Sequence, residues 1–323
     1  MLKAILLLLA LAVAGLAVAH SVRNPEKREL DDAARTQATG RFVRLGDGVT
    51  HYDVAGPDSG QRVVLVHGFS TPYYIWDSTS AALAAAGFRV ARYDHFGRGY
   101  SDRPDVTYDT DLFDRQLVQL LDSLGWKEPV DIVGLSMGGI VVGAFAGRHP
   151  ERTRSMTMVD PAAGALGGGL PWFMKLPGLG LILWETIALP DMAASQSSDF
   201  FEPARWPTWP DQYRVQMQYK GFGRALRSTL MGWDHLALDT LYARVGARGT
   251  RSLLIWGKED KTVPFELSAT VRKAIPQIRF EPIEKAGHLP HMEQAPVVNP
   301  ILINFLRPSA TPTDSAARHG TTP

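Results

Sequence analysis

The serine at position 136 has neighbours of the kind that a serine nucleophile needs. Residues 134–139 read G-L-S-M-G-G, follow a β-branched run and open the apolar stretch 140–146. This is the strand-turn-helix setting of a G-x-S-x-G nucleophile elbow. Glycines flank the serine because the turn is tight and side chains there would collide with neighbouring backbone. We therefore predict that Ser136 is a catalytic nucleophile.

The base that would activate this serine is predicted at His288. A serine hydroxyl is a poor nucleophile at neutral pH and needs a base within hydrogen-bond reach. His288 follows the last strand-like run and precedes the final apolar helix, so it lies in a loop from which its ring can point at Ser136. Other histidines have settings typical of structural roles or lack a suitable setting: His51, His95, His149, His235, His291 and His319.

Three acidic residues are candidates for the group that orients this base. Asp260 follows the strand-like run 253–256 and is the favoured acid, although an aspartate ahead of a helix also occurs as a turn cap. Asp160 ends the preceding strand, and Glu259 is adjacent to Asp260. Both are open alternatives.

Backbone N–H groups are the simplest donors for the oxyanion that forms when serine attacks a carbonyl. The elbow supplies the N–H of Met137. The loop after the first parallel strand contains Gly68, which lets the backbone approach the substrate, so the N–H of Phe69 is the expected second donor. His67 is expected to be structural, bonded within that loop.

The elements that position these residues follow from apolar periodicity. Alternating residues at 43–54 indicate an edge hairpin, and short apolar runs separated by helix-like segments predict a mostly parallel sheet flanked by helices. The runs are 63–66, 89–93, 130–133, 155–159, 252–256 and 278–283, and the clearest helices are 75–86, 109–124 and 297–306.

A large insertion between two strands divides the predicted fold. The core covers 41–161 and 250–306, and a helical cap covers 162–249, before the strand that bears the acid. Stretches 170–177 and 179–189 of the cap are strongly apolar. They either bind an acyl chain or aromatic group, or pack the cap onto the core.

The two ends of the chain have distinct compositions. Residues 1–19 combine Lys3, an apolar run at 4–19 and a small-x-small pattern, which predicts a signal peptide or an uncleaved membrane anchor. The protein is accordingly expected to be exported to the periplasm or medium, or anchored to the membrane. Residues 20–40 are interpreted as a linker, and 307–323 as a disordered tail rich in Pro, Thr, Ser, Ala and Gly.

The overall composition excludes several kinds of chemistry. The chain has no cysteine, so it has no disulfide, thiolate nucleophile or zinc-thiolate site. Its 34 Lys and Arg nearly balance its 33 Asp and Glu without a clustered basic stripe, so nucleic acid is not an expected partner. A small neutral or apolar molecule is expected instead. The sequence does not indicate an oligomeric state.

Five motifs in order resemble the α/β-hydrolase family. They are 67–69, 93–104, 134–139, 256–264 and 287–293, and the resemblance spans about 42–306. It implies the α/β-hydrolase fold with the triad Ser136, Asp260 and His288, the oxyanion donors Phe69 and Met137, and no cofactor. It also implies that Asp94 and Arg98 fix the loop beside the pocket.

Within that family the chain is similar to capped esterases, monoacylglycerol lipases and hydrolases of aromatic ring-cleavage pathways. We expect cleavage of carboxylic esters with lipophilic acyl or aromatic groups through an acyl-enzyme. The alternative is hydrolysis of a C–C bond or lactone in an aromatic degradation pathway. Trp256 and residues 260–264 resemble those enzymes, whereas Leu135 stands where they usually carry Asn. A more remote alternative is a non-catalytic binding protein on the same fold.

Overall fold

The computed structural model describes residues 1–164, 169–233 and 236–307. Eight strands form one sheet in the order β1-β2-β4-β3-β5-β6-β7-β8. The strands are β1 Arg41–Leu45, β2 Gly48–Ala55, β3 Arg62–Val66, β4 Arg89–Tyr93, β5 Val130–Leu135, β6 Thr153–Val159, β7 Ser252–Gly257 and β8 Arg279–Ile283. The helices are α1 Leu2–Arg23, α2 Asp32–Arg35, α3 Asp77–Ala85, α4 Thr110–Ser123, α5 Met137–Arg148, α6 Leu179–Leu183, α7 Met192–Ser195, α8 Trp209–Met217, α9 Phe222–Trp233, α10 Leu238–Ala247, α11 Ser268–Ala274, α12 Pro290–Glu293 and α13 Ala295–Leu306.

The sheet has the mostly parallel topology that the sequence predicts. The β1–β2 hairpin pairs antiparallel to β4, and all pairs from β4 through β8 are parallel. Parallel strands place their carboxyl ends at one edge of a sheet, where ligands of open α/β folds bind. Ser136 follows β5 and Asp260 follows β7 at this edge, and His288 follows β8. The topology therefore brings the predicted site residues together.

Helices cover both faces of the sheet because alternate strand residues point to opposite sides. Val64 and Val66 of β3 face the core beneath α4, α5, α10 and α11. Val63 and Leu65 face the opposite core beneath α3 and α13. Helix α5, which begins directly after Ser136, is buried from Met137 to Ala146. A helix buried on all sides gives the elbow a rigid support.

The insertion between β6 and β7 forms a cap with its own small core. Leu170, Trp184, Leu189, Tyr213 and Phe222 are among the residues buried there. Helix α10 lies within the predicted cap range 162–249 but packs against α5 and α11 of the core. Residues 165–168 and 234–235 of that range, and residues 308–323 of the predicted tail, lie outside the described residues.

Candidate active site

Ser136 stands on a sharp turn between β5 and α5. Its backbone has φ 53° and ψ −117°, a left-handed conformation that costs energy for a residue with a side chain. Two backbone hydrogen bonds of 2.9 Å hold the turn, from Ser136 N to the Val159 carbonyl and from Gly139 N to the Ser136 carbonyl. This strained turn presents the hydroxyl at the carboxyl edge of the sheet.

Glycines make the close packing around this turn possible. A Cβ on Gly138 would lie 2.6 Å from the His67 carbonyl oxygen, and one on Gly139 would lie 2.6 Å from Cβ of Pro161. Real Cβ atoms do not approach other atoms so closely. A Cβ on Gly68 would lie 3.4 Å from Cβ of Ser136, so the loop that follows β3 lies directly against the nucleophile position.

His288 is held in a fixed orientation by Asp260. Its Nδ1 lies 2.7 Å from Oδ2 of Asp260, and both residues are buried. The other carboxylate oxygen of Asp260 accepts the N–H groups of Thr262 and Val263, each at 2.8 Å. Burial lowers the pKa of His288, but the charge and hydrogen bond of Asp260 more than offset it, so the pKa is raised above 6.5. The geometry leaves Nε2 as the nitrogen that can exchange protons at the site.

Asp160, one of the alternative acids, lies in the same buried cluster. Ligand atoms of Asp160, Asp260 and His288 all lie within 4.8 Å of one another. Oδ1 of Asp160 accepts the Gly257 N–H at 2.9 Å, whereas Asp260 bonds the His288 ring. Burial, followed by the charge of Asp260, raises the pKa of the Asp160 carboxyl well above its usual value. Burial therefore favours the neutral form of the Asp160 carboxyl.

Among the described residues, Asp160, Asp260 and His288 form the cluster whose side-chain types and spacing could hold a metal ion. All three side chains are buried, and His288 is bonded to Asp260. These observations favour a role for His288 and Asp260 in a catalytic triad with Ser136 over a role for the cluster as a cation site. Glu259, the other alternative acid, points elsewhere, because its Oε2 accepts the Ala286 N–H at 3.0 Å.

The loop that carries the predicted donor Phe69 is braced by a buried arginine. Arg98 Nε donates to the Phe69 carbonyl oxygen at 2.8 Å, and Nη2 donates to Thr229 at 2.9 Å. The guanidinium is fully buried, and this burial lowers the pKa of Arg98 to about 10. His67 Nδ1 lies 2.9 Å from the Gly68 carbonyl oxygen. Phe69 and Met137, the first residue of α5, therefore flank Ser136 on rigid backbone.

Asp94 and the neighbouring histidines hold the adjacent loops. Asp94 accepts N–H groups from Tyr73 and Tyr100 and bonds the His51 ring at 2.7 Å. Burial lowers the pKa of His67 to about 4, so its ring is neutral and its Nε2 accepts the His95 N–H at 2.9 Å. These contacts indicate that Asp94, His51, His67 and His95 hold the loops in place.

Two residues that the sequence reasoning missed join the cap to the site. The backbone carbonyl oxygen of Asp199 accepts the backbone N–H of His288 at 2.7 Å, and the side-chain carboxylate of Asp199 accepts the Thr262 hydroxyl at 2.6 Å. Glu293 accepts the Gly287 N–H at 2.7 Å and the Phe201 N–H at 2.8 Å. No local motif marks Asp199, whose partners His288 and Thr262 lie in distant segments. Glu293 ends the motif 287–293, but its bond to Phe201 of the cap joins two distant segments and has no local signal.

A cavity of about 280 Å³ connects Ser136 and His288. Its apolar lining residues are Phe69, Ile75, Leu135, Met192 and Leu289. Its polar lining comes mainly from serines, Thr71, Gln196, Asp199 and Thr262, and includes no lysine or arginine among the described residues. The size and mixed lining suit a small organic molecule.

The match to a family model agrees with this geometry. A model described as alpha/beta hydrolase fold matches residues 61–295. The chain belongs to the α/β-hydrolase family. This α/β-hydrolase is 28% identical over 278 residues to 2-hydroxy-6-oxo-6-phenylhexa-2,4-dienoate hydrolase of Comamonas testosteroni, covering 81% of this chain and 93% of that protein. The family and fold predictions are confirmed, and the chain is a hydrolase.

Solved structures of other α/β-hydrolases share the fold. The enol-lactonase from Burkholderia xenovorans LB400 has a TM-score of 0.71 at 23% identity, covering 82% of this chain and 99% of that one. A thermophilic esterase from Thermogutta terrifontis also has a TM-score of 0.71 at 23% identity, covering 83% and 98%. At 23% identity, these similarities show only that the chains share a fold.

Proposed function

We propose that this α/β-hydrolase cleaves a bond beside a carbonyl group through an acyl-enzyme on Ser136. The observation that carries the proposal is the 2.7 Å bond between His288 and Asp260 in the loops beside Ser136, whose backbone is strained at φ 53°. His288 and Ser136 line one cavity. A nucleophile, a base and an orienting acid at one cavity are the parts that acyl transfer requires.

The reaction course follows from these parts. His288 Nε2 takes the Ser136 proton as Oγ bonds to the carbonyl carbon, and the N–H groups of Phe69 and Met137 bind the resulting oxyanion. Collapse of this intermediate breaks the bond to the leaving group, which receives the proton from His288. Water then attacks the acyl-enzyme with His288 as base, and the carboxylic acid leaves as Ser136 regains its proton.

The substrate class is proposed from the comparisons together with the cavity lining. The relatives whose names describe a dienoate hydrolase and an enol-lactonase support the C–C or lactone alternative better than the simple ester hydrolysis expected from the sequence. The cavity contains Asp199 and no lysine or arginine among its described lining residues, so it offers no cation to a substrate carboxylate. We therefore place an uncharged lactone first.

Esters remain the second candidate, since an ester presents the same acyl carbonyl and an uncharged leaving group. The apolar part of the lining, which includes Ile75, Met192 and Leu289, accommodates a lipophilic group on either substrate. The esterase structure with the same fold is consistent with this candidate.

Turnover of three substrate types distinguishes these candidates. The panel comprises an uncharged aryl lactone, a 2-hydroxy-6-oxo-dienoate and p-nitrophenyl esters of increasing chain length. The proposal expects the highest kcat/KM on the lactone, with turnover abolished in Ser136→Ala and retained in Ser198→Ala, a serine that lines the same cavity. Preference for the dienoate would overturn the substrate assignment, and turnover that survives Ser136→Ala would overturn the mechanism.

The amino-terminal helix supports a proposed location at or beyond a membrane. Helix α1 is long and apolar enough to cross a bilayer by length and composition, and it begins at Leu2. We propose that it directs the chain for export or anchors it. The mass of the protein recovered from its host decides between a cleaved and a retained helix.

A further inference from the structure

The cap carries an exposed apolar surface beside helix α1. We define the cap patch as Trp172, Leu179, Ile182 and Ile187. Trp172 is 74% exposed and Ile187 is 50% exposed. The residues lie on a short turn at Trp172–Lys175, on α6 and on its continuation Trp184–Ala188, which pack against one another. The four exposed side chains therefore lie on elements that are packed together in one part of the cap.

The cap does not need this patch for its own packing. Met174 and Trp184 lie on the first and last of these elements, and Leu189 directly follows the last one, but all three side chains are buried in the cap core. These elements are thus apolar on both sides. Exposed aliphatic and aromatic side chains in one patch are typical of an interaction surface.

Helix α1 projects from the edge of the same elements. It has 22 residues, and residues 2–19, which precede the cap-bound His20, extend about 27 Å at 1.5 Å per residue, close to the roughly 30 Å hydrocarbon core of a bilayer. Residues 1–15 are exposed along their whole length, and the carboxyl end of the helix packs against Trp184–Ala188. The helix therefore meets the cap at one end only.

Polar contacts fix that end of α1 to the cap. Arg23 Nε donates to the Thr186 carbonyl oxygen at 2.8 Å, and the His20 ring bonds the Thr186 hydroxyl at 3.2 Å. Asn24 is buried and donates to Glu185 at 3.2 Å. Thr186 and Glu185 belong to the continuation of α6 that also carries Ile187, so the helix end and the patch share one support.

The segment that follows α1 strengthens this attachment. Glu26 accepts the Gly221 N–H at 2.7 Å and also bonds the Gly223 N–H. The backbone of Arg28 pairs with the stretch around Tyr219 through an isolated bridge, with N–H···O distances of 2.9 Å in both directions. The segment predicted as a linker is thus bound to the cap and holds α1 against it.

We propose that the cap patch docks into the surface of the lipid bilayer that α1 enters. Because the end of α1 is fixed to Glu185 and Thr186, insertion of the helix carries Ile187 and the neighbouring patch residues to the lipid-water interface. Tryptophan and aliphatic side chains are the residues that bury at this interface, and Trp172 is the exposed one of the eight tryptophans in the chain. The cap, rather than the core, is the side that faces lipid.

The cysteine-free sequence allows one-site labelling of the full chain. Ile187→Cys carries an environment-sensitive fluorophore and is reconstituted with α1 intact into phosphatidylcholine-phosphatidylglycerol vesicles. Val297→Cys is the matched control, since Val297 of α13 is 48% exposed but lies on the core. The emission of the label at position 187 is expected to shift to the blue, to be quenched by brominated lipid chains and to be protected from aqueous iodide. The label at position 297 is expected to show no blue shift, to escape quenching by brominated lipid and to be quenched by iodide.

A second readout keeps the proposal testable if the Ile187 variant fails to fold. Brominated lipids are expected to quench a part of the intrinsic tryptophan fluorescence that is missing in Trp172→Phe. Equal iodide access at positions 187 and 297, or quenching unchanged by Trp172→Phe, would overturn the proposal. Protection that disappears as the protein is diluted in lipid would assign the patch to self-association and also overturn it. Ser136→Ala is expected to leave all of these signals unchanged, so the result does not depend on catalysis.

Discussion

The ring of His288 bonds the carboxylate of Asp260 at 2.7 Å, while the adjacent Asp160 carboxyl bonds the Gly257 backbone instead. This difference in partners predicts that Asp260→Asn loses activity and that Asp160→Asn retains it. Asp260 raises the pKa of His288 despite the opposing effect of burial.

The acid limb of the pH-rate profile tests the role of Asp260. His288 is a base only when its ring is neutral, so kcat/KM is expected to fall as the pH drops through a value above 6.5. Asp260→Asn removes the main group that raises this pKa, while the opposing effect of burial remains. The acid limb then moves to lower pH, and the plateau falls by about 10³–10⁴-fold. An acid limb that does not move contradicts the assignment of Asp260.

Asp160→Asn is expected to preserve activity and to stabilise the protein at high pH. An acid whose pKa is raised by folding stabilises the native state only at low pH, and this contribution is lost as the pH rises. Asparagine keeps the acceptor for Gly257 and removes the ionisable group. The melting temperature at pH 8 is expected to exceed that of the wild type, with a smaller difference at pH 4. A loss of activity like that of Asp260→Asn would identify Asp160 as the acid.

Arg98→Met tests the brace on the Phe69 loop. The substitution leaves the buried carbonyl of Phe69 without its donor, so unfolding free energy is expected to fall by about 2–5 kcal/mol and kcat to fall more than KM changes. Urea unfolding and steady-state kinetics measure the two effects. Arg115→Met is the matched control, because Arg115 contacts Asp47 at 3.4 Å on the surface and is expected to change stability by less than about 1 kcal/mol. Equal effects of the two variants would argue against the brace.

Two glycines of α5 are expected to respond oppositely to alanine. A Cβ on Gly138 would meet the His67 carbonyl oxygen at 2.6 Å, so Gly138→Ala is expected to destabilise the protein by about 1–3 kcal/mol or more. A Cβ on Gly147 meets nothing within 4 Å, so Gly147→Ala is expected to stabilise it by about 0.5–1 kcal/mol. Thermal or urea unfolding measures both. Similar destabilisation by both would show that helix packing, rather than the elbow, sets the requirement.

The sheet and the order of its elements could be predicted from the sequence, as could the placement of Ser136, Asp260 and His288 after the strands β5, β7 and β8. These features depend on local signals, since apolar periodicity and the glycines of the elbow act over a few residues. The roles of Asp199 and Glu293 were missed because Asp199 bonds His288 and Glu293 bonds Phe201, and each of these bonds joins distant segments. The same limit applies to α10, which lies within the predicted cap range 162–249 but packs against α5 and α11 of the core.

The attachment of the amino-terminal segment to the cap also could not be predicted from the sequence. Residues 20–40 have the composition of a linker, and only the fold shows that Arg23, Asn24 and Glu26 bond to the cap. The apolar character of the cap was visible, but its division into a buried side and an exposed side depends on three-dimensional packing.

Covalent labelling with a fluorophosphonate is the most direct test of Ser136 as the nucleophile. The probe phosphonylates an activated serine as fluoride leaves, and peptide mapping by mass spectrometry locates the bond. One adduct on Ser136 of the folded protein is predicted, absent in Ser136→Ala and formed much more slowly in Asp260→Asn. Absence of an adduct on folded wild-type protein, or an adduct on another serine, would show that Ser136 is not the activated nucleophile.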